Sequence, residues 1–481
     1  MKPRLMDILD TVAALAGDRE PPGALCFAPE AYERAYAEYL KQQPQPPHLP
    51  EQVQYIPLFS VIAEEGVPDD ALDTQLYPHH ELIRKGEPVN GEYILYLHEG
   101  DVLTPDALHT LAVALDRARG SDFIYADEDR LSGGQRHSPS FKPEFSLFTL
   151  LSYNYIGRPL TVSRTLHEAS GGLSGPGPEL EYAYALRCAG ACKHPLHVPQ
   201  VLCSCAKLSP PPQPERMRKI LDTFLQGRDA QAFSANGLWA GSSRMRRNLQ
   251  KDPPITVILP NRDHADRLRR FLERLDDTVL YLNYRVCIVD AASSDAKTLR
   301  YYALLKKNKA AKVVRGRVAA TSYAALCNRG AKPVRAGLLL FMTPDTLPAS
   351  DGWMYALAEL ASTSGIGAAG PKITDGQGYI LEAGRALVSE DRVQSERIYA
   401  GAEDEVYELL KNRSINTIRA VQALGSGCLM FSSAAFHACG GFDETLAQED
   451  AVTDLCLRLA AMGLACVYTP FAQCTREEPP Q

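Results

Sequence analysis

Apolar and polar positions in the C-terminal half of the chain alternate in a way that predicts strands separated by helices. The runs ITVILP, YRVCIVDA and AKVVRG predict three strands. Between them, DHADRLRRFLERL and DAKTLRYYALLKKN carry apolar residues at spacings of three and four and predict helices. Strands and helices in strict succession favour right-handed crossovers and a parallel sheet. The sequence therefore predicts an α/β fold, with ligands at the carboxyl ends of the strands.

Proline-rich segments indicate where the chain divides. QQPQPPHLPEQ follows a segment with helical spacing, AYERAYAEYL, and KLSPPPQPER closes a second block. The predicted organisation is a helical leader over 1–50, a first domain over 51–206, a helical linker over 207–253 and a second domain over 254–481. GEYILYLHEGDVLTPDAL and AGLLLFMTPDTLPASDGW share one pattern, which indicates two copies of one fold.

Composition narrows the function classes. The chain has 481 residues, 45% hydrophobic and 23% charged, which is typical of a folded globular protein. Its net charge of −7 and the absence of a basic footprint argue against a nucleic-acid partner. The twelve cysteines are scattered through apolar segments. With no signal peptide at the N-terminus and no apolar stretch near 18 residues, we expect a reduced, cytoplasmic location. Peripheral membrane association stays open.

Polar side chains follow the predicted strands of the second domain. Asn261 and Asp263 follow the first strand, Asp290 ends the second, Asn328 lies in SYAALCNRGA, and Asp345 follows AGLLLFM. Carboxylate and amide groups at neighbouring strand ends can bind a base and a ribose. The alternative is that each residue only begins a turn or caps a helix.

Several ordered landmarks resemble one known family. PPITVILPNRD, YRVCIVDAASSD, LLLFMTPDT, LGSGCLMF, CGGFDE and TDLCLRLAAMG are similar to the landmarks of family 2 glycosyltransferases with the GT-A fold. The first domain resembles the same family through GEYILYLHEGD, DFIYADEDRLSGGQRHSPSFKPEFS and LLSYNYIG. The resemblance implies two GT-A-like domains, the first truncated, of the tandem rhamnosyltransferase or O-antigen type, with degenerate catalytic motifs.

The same resemblance implies a nucleotide-sugar donor, a divalent cation (Mn²⁺ or Mg²⁺) and a general base in the second domain. Asp345 falls on the motif's second acid, which touches the metal in relatives; the alternative is an acid that closes a turn after Pro344. An ungapped alignment puts Val452 at the base, so the candidates are Asp450 or Glu449, if the loop shifts by two residues, and Asp454. A solvated loop is the alternative for Glu449 and Asp450.

In the first domain the motif is reduced to Asp101 in HEGD, and Glu181 stands near the expected base. Asp127, Glu128 and Asp129 in YADEDR are candidates for an acceptor or second site, or they form a charged surface turn. CAGACKHPLHVPQVLCSC brings cysteines and histidines together, as zinc ligands or as thiols packed in a core.

Two hypotheses follow. One is an enzyme that transfers a sugar from a nucleotide-diphospho-sugar to a glycan or lipid-linked acceptor in surface polysaccharide synthesis. The other is a catalytically inactive scaffold or binding protein that keeps the fold.

Overall fold

The computed structural model describes residues 29–42, 53–175, 177–206, 212–316, 322–388, 393–402 and 414–476. The chain forms two compact units. Unit 1 extends to Arg228 and includes Ala240–Ser243, and unit 2 contains Asp229–Trp239 and the chain from Arg244 onwards. Within the segment 207–253, predicted as a helical linker, the described residues 212–253 contain one helix and two strands and are divided between the two units.

Unit 1 contains six helices and eight strands among its described residues. The helices are α1 (Pro29–Gln42), α2 (Ala107–Arg117), α3 (Leu147–Leu150), α4 (Arg164–Ala169), α5 (Pro178–Ala191) and α6 (Pro214–Gln226). The strands are β1 (Phe59–Ala63), β2 (His80–Ile83), β3 (Tyr93–Leu97), β4 (Val102–Leu103), β5 (Phe123–Ser132), β6 (Gln135–Ser140), β7 (Leu160–Ser163) and β8 (Pro195–Cys205).

Unit 2 begins with a two-stranded sheet, β9 (Ala232–Asn236) and β10 (Ser243–Arg247). Its described helices are α7 (Ala265–Thr278), α8 (Ala296–Lys307), α9 (Tyr323–Ala331), α10 (Trp353–Ala361), α11 (Ser433–Ala438) and α12 (Gln448–Ala461). The further strands are β11 (Ile255–Asn261), β12 (Tyr284–Asp290), β13 (Lys312–Arg315), β14 (Leu338–Met342), β15 (Thr346–Pro348), β16 (Ile366–Thr374), β17 (Ile380–Glu382), β18 (Arg385–Leu387), β19 (Ser395–Arg397), β20 (Arg419–Val421), β21 (Cys428–Ser432) and β22 (Ala465–Arg476).

The two large sheets share one strand order. In unit 2 the order is β13-β12-β11-β14-β21-β16-β22-β15, parallel from β13 to β14, with β21 antiparallel to both neighbours and β16 parallel to β22. In unit 1 the order β2-β1-β3-β7-β5-β8-β4 repeats these directions. Among its described residues, unit 1 has no strand that corresponds to β13, so β2 forms the edge.

Burial on both faces explains the apolar strands of unit 2. All five residues of β14 are buried, as expected for a parallel strand covered on both sides. Helix α7 buries Leu268, Phe271 and Leu275 at spacings of three and four and exposes its charged face. Gly337 lets β14 start beside β11, because it has φ +79° and a Cβ there would lie 2.1 Å from the Pro254 carbonyl oxygen.

The predicted α/β class is confirmed, with a truncated first sheet and a helix in the N-terminal segment. The predicted strands ITVILP, YRVCIVDA and AKVVRG correspond to β11, β12 and β13, and the two predicted helices correspond to α7 and α8. Within the described residues, no helix combines the length and the apolar character that crossing a membrane requires.

Candidate functional site

Buried polar side chains meet where β11, β12 and β13 end. Asp290, the last residue of β12, is fully buried. Its Oδ1 accepts hydrogen bonds from the Ser293 amide at 3.0 Å and from the Tyr302 hydroxyl at 3.3 Å. Its Oδ2 accepts from Arg315 Nε at 3.2 Å. The parallel register places Asn261 opposite Asp290, so both predicted residues lie at this edge.

Asn261 and Asp263 join the loops that follow β11 and β12. Asn261 Nδ2 donates to the Tyr302 hydroxyl at 2.7 Å and to the Asp263 carbonyl at 2.9 Å. Asp263 has the left-handed φ of 54°, and its Oδ1 accepts from the amides of Ser294 and Asp295, both at 2.9 Å. We call Asn261, Asp263, Asp290 and Arg315 the strand-end cluster.

Arg315 is the member of the strand-end cluster that the sequence did not predict. Half of its side chain is exposed, so the guanidinium can contact an anionic ligand while Asp290 holds it. The next residue, Gly316, donates its amide to the Asp290 carbonyl at 2.7 Å, and a Cβ there would lie 2.5 Å from that oxygen. Glycine therefore permits the close approach of β13 to β12 on which the Arg315 contact depends.

Asn328 lies elsewhere and has a different set of contacts. Its Oδ1 accepts from the Phe442 amide at 3.0 Å, and its Nδ2 donates to the Phe442 carbonyl at 2.8 Å and to Glu444 Oε1 at 3.0 Å. The amide group thus fastens the loop at 442–444 to α9. Asn328 is therefore not part of the strand-end cluster, which contains the other three residues predicted to bind a nucleotide.

Asp345 lies in a tight turn between β14 and β15. The Thr346 amide donates to the Thr343 carbonyl at 3.0 Å, which closes the turn. The Asp345 carboxylate is partly exposed, and its one hydrogen bond within the described chain comes from the Thr346 hydroxyl at 3.5 Å. Because this carboxylate has unused lone pairs, it could serve as the single protein ligand of Mg²⁺ or Mn²⁺. Asp345 can therefore lie in the turn and bind a metal at the same time.

One short segment, residues 425–428, connects the Asp345 turn to the start of α12. The Thr343 amide donates to the Gly427 carbonyl at 3.1 Å. The Ser426 hydroxyl donates to Glu449 Oε1 at 2.7 Å, and Glu449 lies in the first turn of α12. The segment therefore places the acids of α12 beside the turn that carries Asp345.

The two predicted base candidates differ in their surroundings. Asp454 forms an ion pair with Arg458, whose Nη2 and Nε lie 2.5 and 2.9 Å from Asp454 Oδ2, and Arg458 also donates to the carbonyls of Cys439 and Gly441. Asp450 is partly exposed and makes no hydrogen bond or ion pair within the described residues. Val452 is fully buried. Of the two, Asp450 has no partner among the described residues, whereas Asp454 orients Arg458, which holds the loop at 439–441.

These surroundings predict different effects on the free energy of unfolding for two isosteric substitutions. Asp454→Asn should lower the free energy of unfolding by about 1 kcal/mol, because it breaks a partly exposed ion pair. Asp450→Asn should change the free energy by less than about 0.5 kcal/mol, because the carboxylate has no partner to lose. Urea denaturation of both variants measures the difference. An equal loss in both would contradict the assignment.

Glu382 and Arg385 form a buried charge pair that the sequence reading missed. Glu382 Oε2 accepts from Arg385 Nη1 at 3.1 Å, and the same guanidinium nitrogen lies 3.5 Å from Glu449 Oε2. Burial, opposed by Arg385 and assisted by the Glu449 charge, raises the pKa of Glu382 to about 7. Two opposite charges inside the apolar pattern ILEAGRAL were the available signal.

In unit 1, Arg158 joins two of the predicted residues. Its Nη1 donates to Asp101 Oδ2 at 2.9 Å and its Nη2 to Glu181 Oε1 at 3.1 Å. Burial raises the pKa of Asp101, although Arg158 and His98 act in the opposite direction. Asp101 and Glu181 therefore share one guanidinium.

The acids of YADEDR do not form a surface turn, so that expectation is corrected. Asp127, Glu128 and Asp129 lie on β5 and are buried. Burial of these charges is tolerated because each acid has a partner of its own. His197 lies 2.9 Å from Asp127, Lys142 lies 3.3 Å from Glu128, and Arg136 lies 2.6 Å from Asp129. These contacts leave the strand acids little capacity for an acceptor.

The cysteines and histidines of 188–205 do not converge as one group. His197 stacks on Tyr125 and contacts Asp127, and Cys192 lies at the end of α5. Cys203 and Cys205 are buried on β8.

Unit 2 contains a groove of about 890 Å³ at the amino ends of β12 and β13, away from the strand-end cluster. None of the predicted site residues lines this groove.

Comparison with known proteins bears on unit 2 first. Residues 256–416, about a third of the chain, match the family model described as Glycosyl transferase family 2. This segment contains the strand-end cluster, Asn328, Asp345 and Glu382. The fold prediction and the family resemblance therefore receive support over this segment.

Curated relatives match over most of the chain. The uncharacterized protein y4gI of Sinorhizobium fredii (strain NBRC 101917 / NGR234) is 26% identical over 419 residues, which cover 82% of this chain and 44% of that protein. The O-antigen biosynthesis protein RfbC of Myxococcus xanthus is 27% identical over 401 residues, which cover 79% of this chain and 30% of that protein. The chain spans less than half the length of either relative.

A crystal structure of GalNAc-T7 with UDP, GalNAc and Mn²⁺ is similar over 49% of this chain and 46% of that one, with a TM-score of 0.39 and 14% sequence identity.

Proposed function

We propose that unit 2 binds a nucleotide-diphospho-sugar and transfers its sugar to a glycan or lipid-linked acceptor in surface polysaccharide synthesis. The family match over residues 256–416 supports sugar transfer. The name of the M. xanthus relative, an O-antigen biosynthesis protein, supports the polysaccharide context.

The observation that carries the proposal is the arrangement around the 425–428 segment. It connects the turn of Asp345 to the helix turn that bears Glu449 and Asp450 through hydrogen bonds of 3.1 and 2.7 Å. A sugar transfer of this kind requires a group that stabilises the leaving diphosphate and a base that accepts the acceptor's proton. The segment brings candidates for both roles to one edge of the sheet.

We assign the nucleoside to the strand-end cluster. The cluster ends three neighbouring parallel strands, where ligands of open α/β sheets bind. The half-exposed Arg315 supplies a positive charge at this edge, and Asp290 keeps it oriented. Asn328 is left out of this assignment because its amide group is used in the 442–444 loop.

Asp345 is the residue proposed to hold a divalent cation. Its carboxylate has free lone pairs, which suits a hard cation with oxygen ligands. When bound, such a cation neutralises negative charge on a departing diphosphate. Asp450 is proposed as the base, since it is partly exposed and unpaired among the described residues, whereas Asp454 is engaged by Arg458.

A second candidate function is a binding or scaffold protein with this fold. Two observations favour it: Val452, which the ungapped alignment puts at the base position, is fully buried, and the Asp290 carboxylate is already surrounded by protein donors. In this case unit 2 would bind partner proteins or glycan without transferring sugar.

Donor-dependent thermal stabilisation separates the two candidates. Melting temperatures should be measured with UDP-, GDP- and dTDP-sugars, each with and without Mn²⁺. A donor at 100 times its dissociation constant adds about 2.7 kcal/mol to the free energy of unfolding. We expect one nucleotide class to raise the melting temperature. No shift with any of the three would remove the donor from the proposal and leave the scaffold.

Asp345→Asn tests the metal assignment. We expect the variant to lose the Mn²⁺-dependent part of the donor stabilisation, because the amide is a neutral and weaker ligand, and to keep the part seen without metal. Asp351→Asn is the matched control, since Asp351 is an exposed acid six residues along the same segment. An Asp345→Asn variant with an unchanged Mn²⁺ response would place the metal elsewhere.

A further inference from the structure

Three metal-binding side chains meet in the core of unit 1. A carboxylate oxygen of Asp101 and the Sγ atoms of Cys203 and Cys205 all lie within 4.8 Å of one another. All three residues are buried, with Asp101 7% exposed and the cysteines 2% and 1%. Among the residues that the structure describes, this is the one group of three or more such ligands at this spacing.

The backbone fixes this grouping. Cys203 and Cys205 are two residues apart on β8, so both side chains project from the same face of the strand. Strand β4, which begins directly after Asp101, pairs with β8 so that Val102 is opposite Ser204 and Leu103 is opposite Cys203. The pairing therefore carries Asp101 to the face that bears the two thiols.

The Asp101 carboxylate has an unused acceptor in this environment. Its Oδ2 accepts from Arg158, whereas its Oδ1 is buried and makes no hydrogen bond within the described chain. A buried acceptor without a partner destabilises the folded state. A metal ion bound at this point would remove that destabilisation.

We propose that Asp101, Cys203 and Cys205 bind one zinc ion. Thiolate ligands select Zn²⁺ over Mg²⁺ and Mn²⁺, which prefer oxygen, so this site differs in chemistry from the one proposed at Asp345. Three protein ligands leave a fourth position for water. The site lies in unit 1 and does not rest on the function proposed for unit 2.

A divalent ion would also offset charge in this buried location. Two thiolates and the Asp101 carboxylate carry three negative charges, of which Zn²⁺ neutralises two, and the Arg158 guanidinium is shared between Asp101 and Glu181. Zinc is ligated by thiolates, so binding would release the two thiol protons to solvent.

A disulfide is the competing use of the two thiols. Residues two apart on an extended strand have Cα atoms about 6.6 Å apart, close to the upper limit for a disulfide. Both cysteines are free in this structure. The geometry therefore favours joint ligation over a direct bond.

The test is the zinc content of the full chain, expressed with added zinc and purified without chelator. We expect about one zinc per chain in the wild type and less than about one tenth in the double variant Cys203→Ser and Cys205→Ser. The control is Cys428→Ser with Cys474→Ser, a pair of buried, contacting thiols in unit 2. This control should retain the full zinc content.

Cobalt titration covers the case in which the double variant does not fold. Wild type stripped of metal with a chelator should show a thiolate-to-cobalt charge-transfer absorption as Co²⁺ is added, and Asp101→Asn should require at least about tenfold more Co²⁺. Zinc-free wild type without this absorption would overturn the proposal. Full zinc retention in the Cys203 and Cys205 variant would also overturn it.

Discussion

Lys142→Met is expected to lower the free energy of unfolding by about 3 kcal/mol, because it removes the nearer of the two counter-ions of a buried carboxylate and leaves only Arg130, 3.7 Å from Glu128 Oε1. Lys142 Nζ lies 3.3 Å from Glu128 Oε2 and donates to the carbonyls of Ile156 at 2.5 Å and Arg158 at 2.8 Å. The Lys142 side chain is 1% exposed and that of Glu128 is 11% exposed. Water therefore cannot replace the lost ammonium.

The pKa of Glu128 also indicates that its charge depends on Lys142. Burial acts to raise it, but the Lys142 ammonium and the Arg158 amide outweigh burial and hold the pKa below its ordinary value. The carboxylate thus stays charged in the folded protein. Its charge is tolerated through these partners, and removal of Lys142 leaves a larger part of the desolvation cost uncompensated.

A double variant isolates the pair. Lys142→Met combined with Glu128→Gln should recover most of the stability lost in the single variant, since no buried charge then remains unpaired. Lys193→Met, at an exposed lysine of the same unit, is the control and should change the free energy by less than about 0.5 kcal/mol. Urea denaturation measures all three. A Lys142→Met loss no larger than the control's would show that Glu128 does not depend on Lys142.

Glu382→Gln is expected to remove a pH dependence from the stability of unit 2. The folded pKa of Glu382, about 7, lies above the ordinary value of 4.5 because the carboxyl is buried. The folded state therefore holds a proton that the unfolded state releases, and wild-type stability falls as the pH rises from about 4.5 to about 7. The fall attributable to this group is on the order of 3 kcal/mol.

The amide of glutamine mimics the protonated carboxyl and does not titrate. The difference in unfolding free energy between Glu382→Gln and wild type should therefore shift in favour of the variant by that amount between pH 4.5 and 8. Arg385, Glu449 and Arg397 also act on Glu382, so the comparison of slopes is more informative than either absolute value.

Urea denaturation across the pH series measures the slopes. Glu396→Gln, an exposed acid on β19, serves as the control and should keep the wild-type slope. If Glu382→Gln and wild type lose stability in parallel as the pH rises, folding does not raise the pKa of Glu382.

The cluster formed by Glu382, Arg385 and Glu449 matters to the proposed function because it adjoins the 425–428 segment. Arg385 contacts both acids, and Glu449 holds Ser426. Titration of Glu382 would change the charge beside Arg385 and thus the strength of the ion pair between Arg385 and Glu449. The proposed base, Asp450, is the next residue along α12.

The sequence by itself determined the first strands and helices of the large sheet in unit 2. Apolar periodicity is a local property, and β11, β12, β13, α7 and α8 formed where it predicted. It also placed Asn261 and Asp290 together, because the carboxyl ends of neighbouring parallel strands share one edge of a sheet. Asp345 at the end of β14 followed from the same rule.

Only the tertiary structure decided which partners the charged side chains have. Glu128 and Lys142 are 14 residues apart, Asn328 and Phe442 are 114 apart, and Glu449 and Ser426 are 23 apart. No local pattern encodes such pairs, so the sequence alone favours a surface turn for a run of acids and a ligand role for the partly buried Asn328. The same holds for Asp101 and the two thiols of β8, which strand pairing alone brings within 4.8 Å. Desolvation makes each buried charge depend on one particular neighbour, and that neighbour is set by how the strands pair.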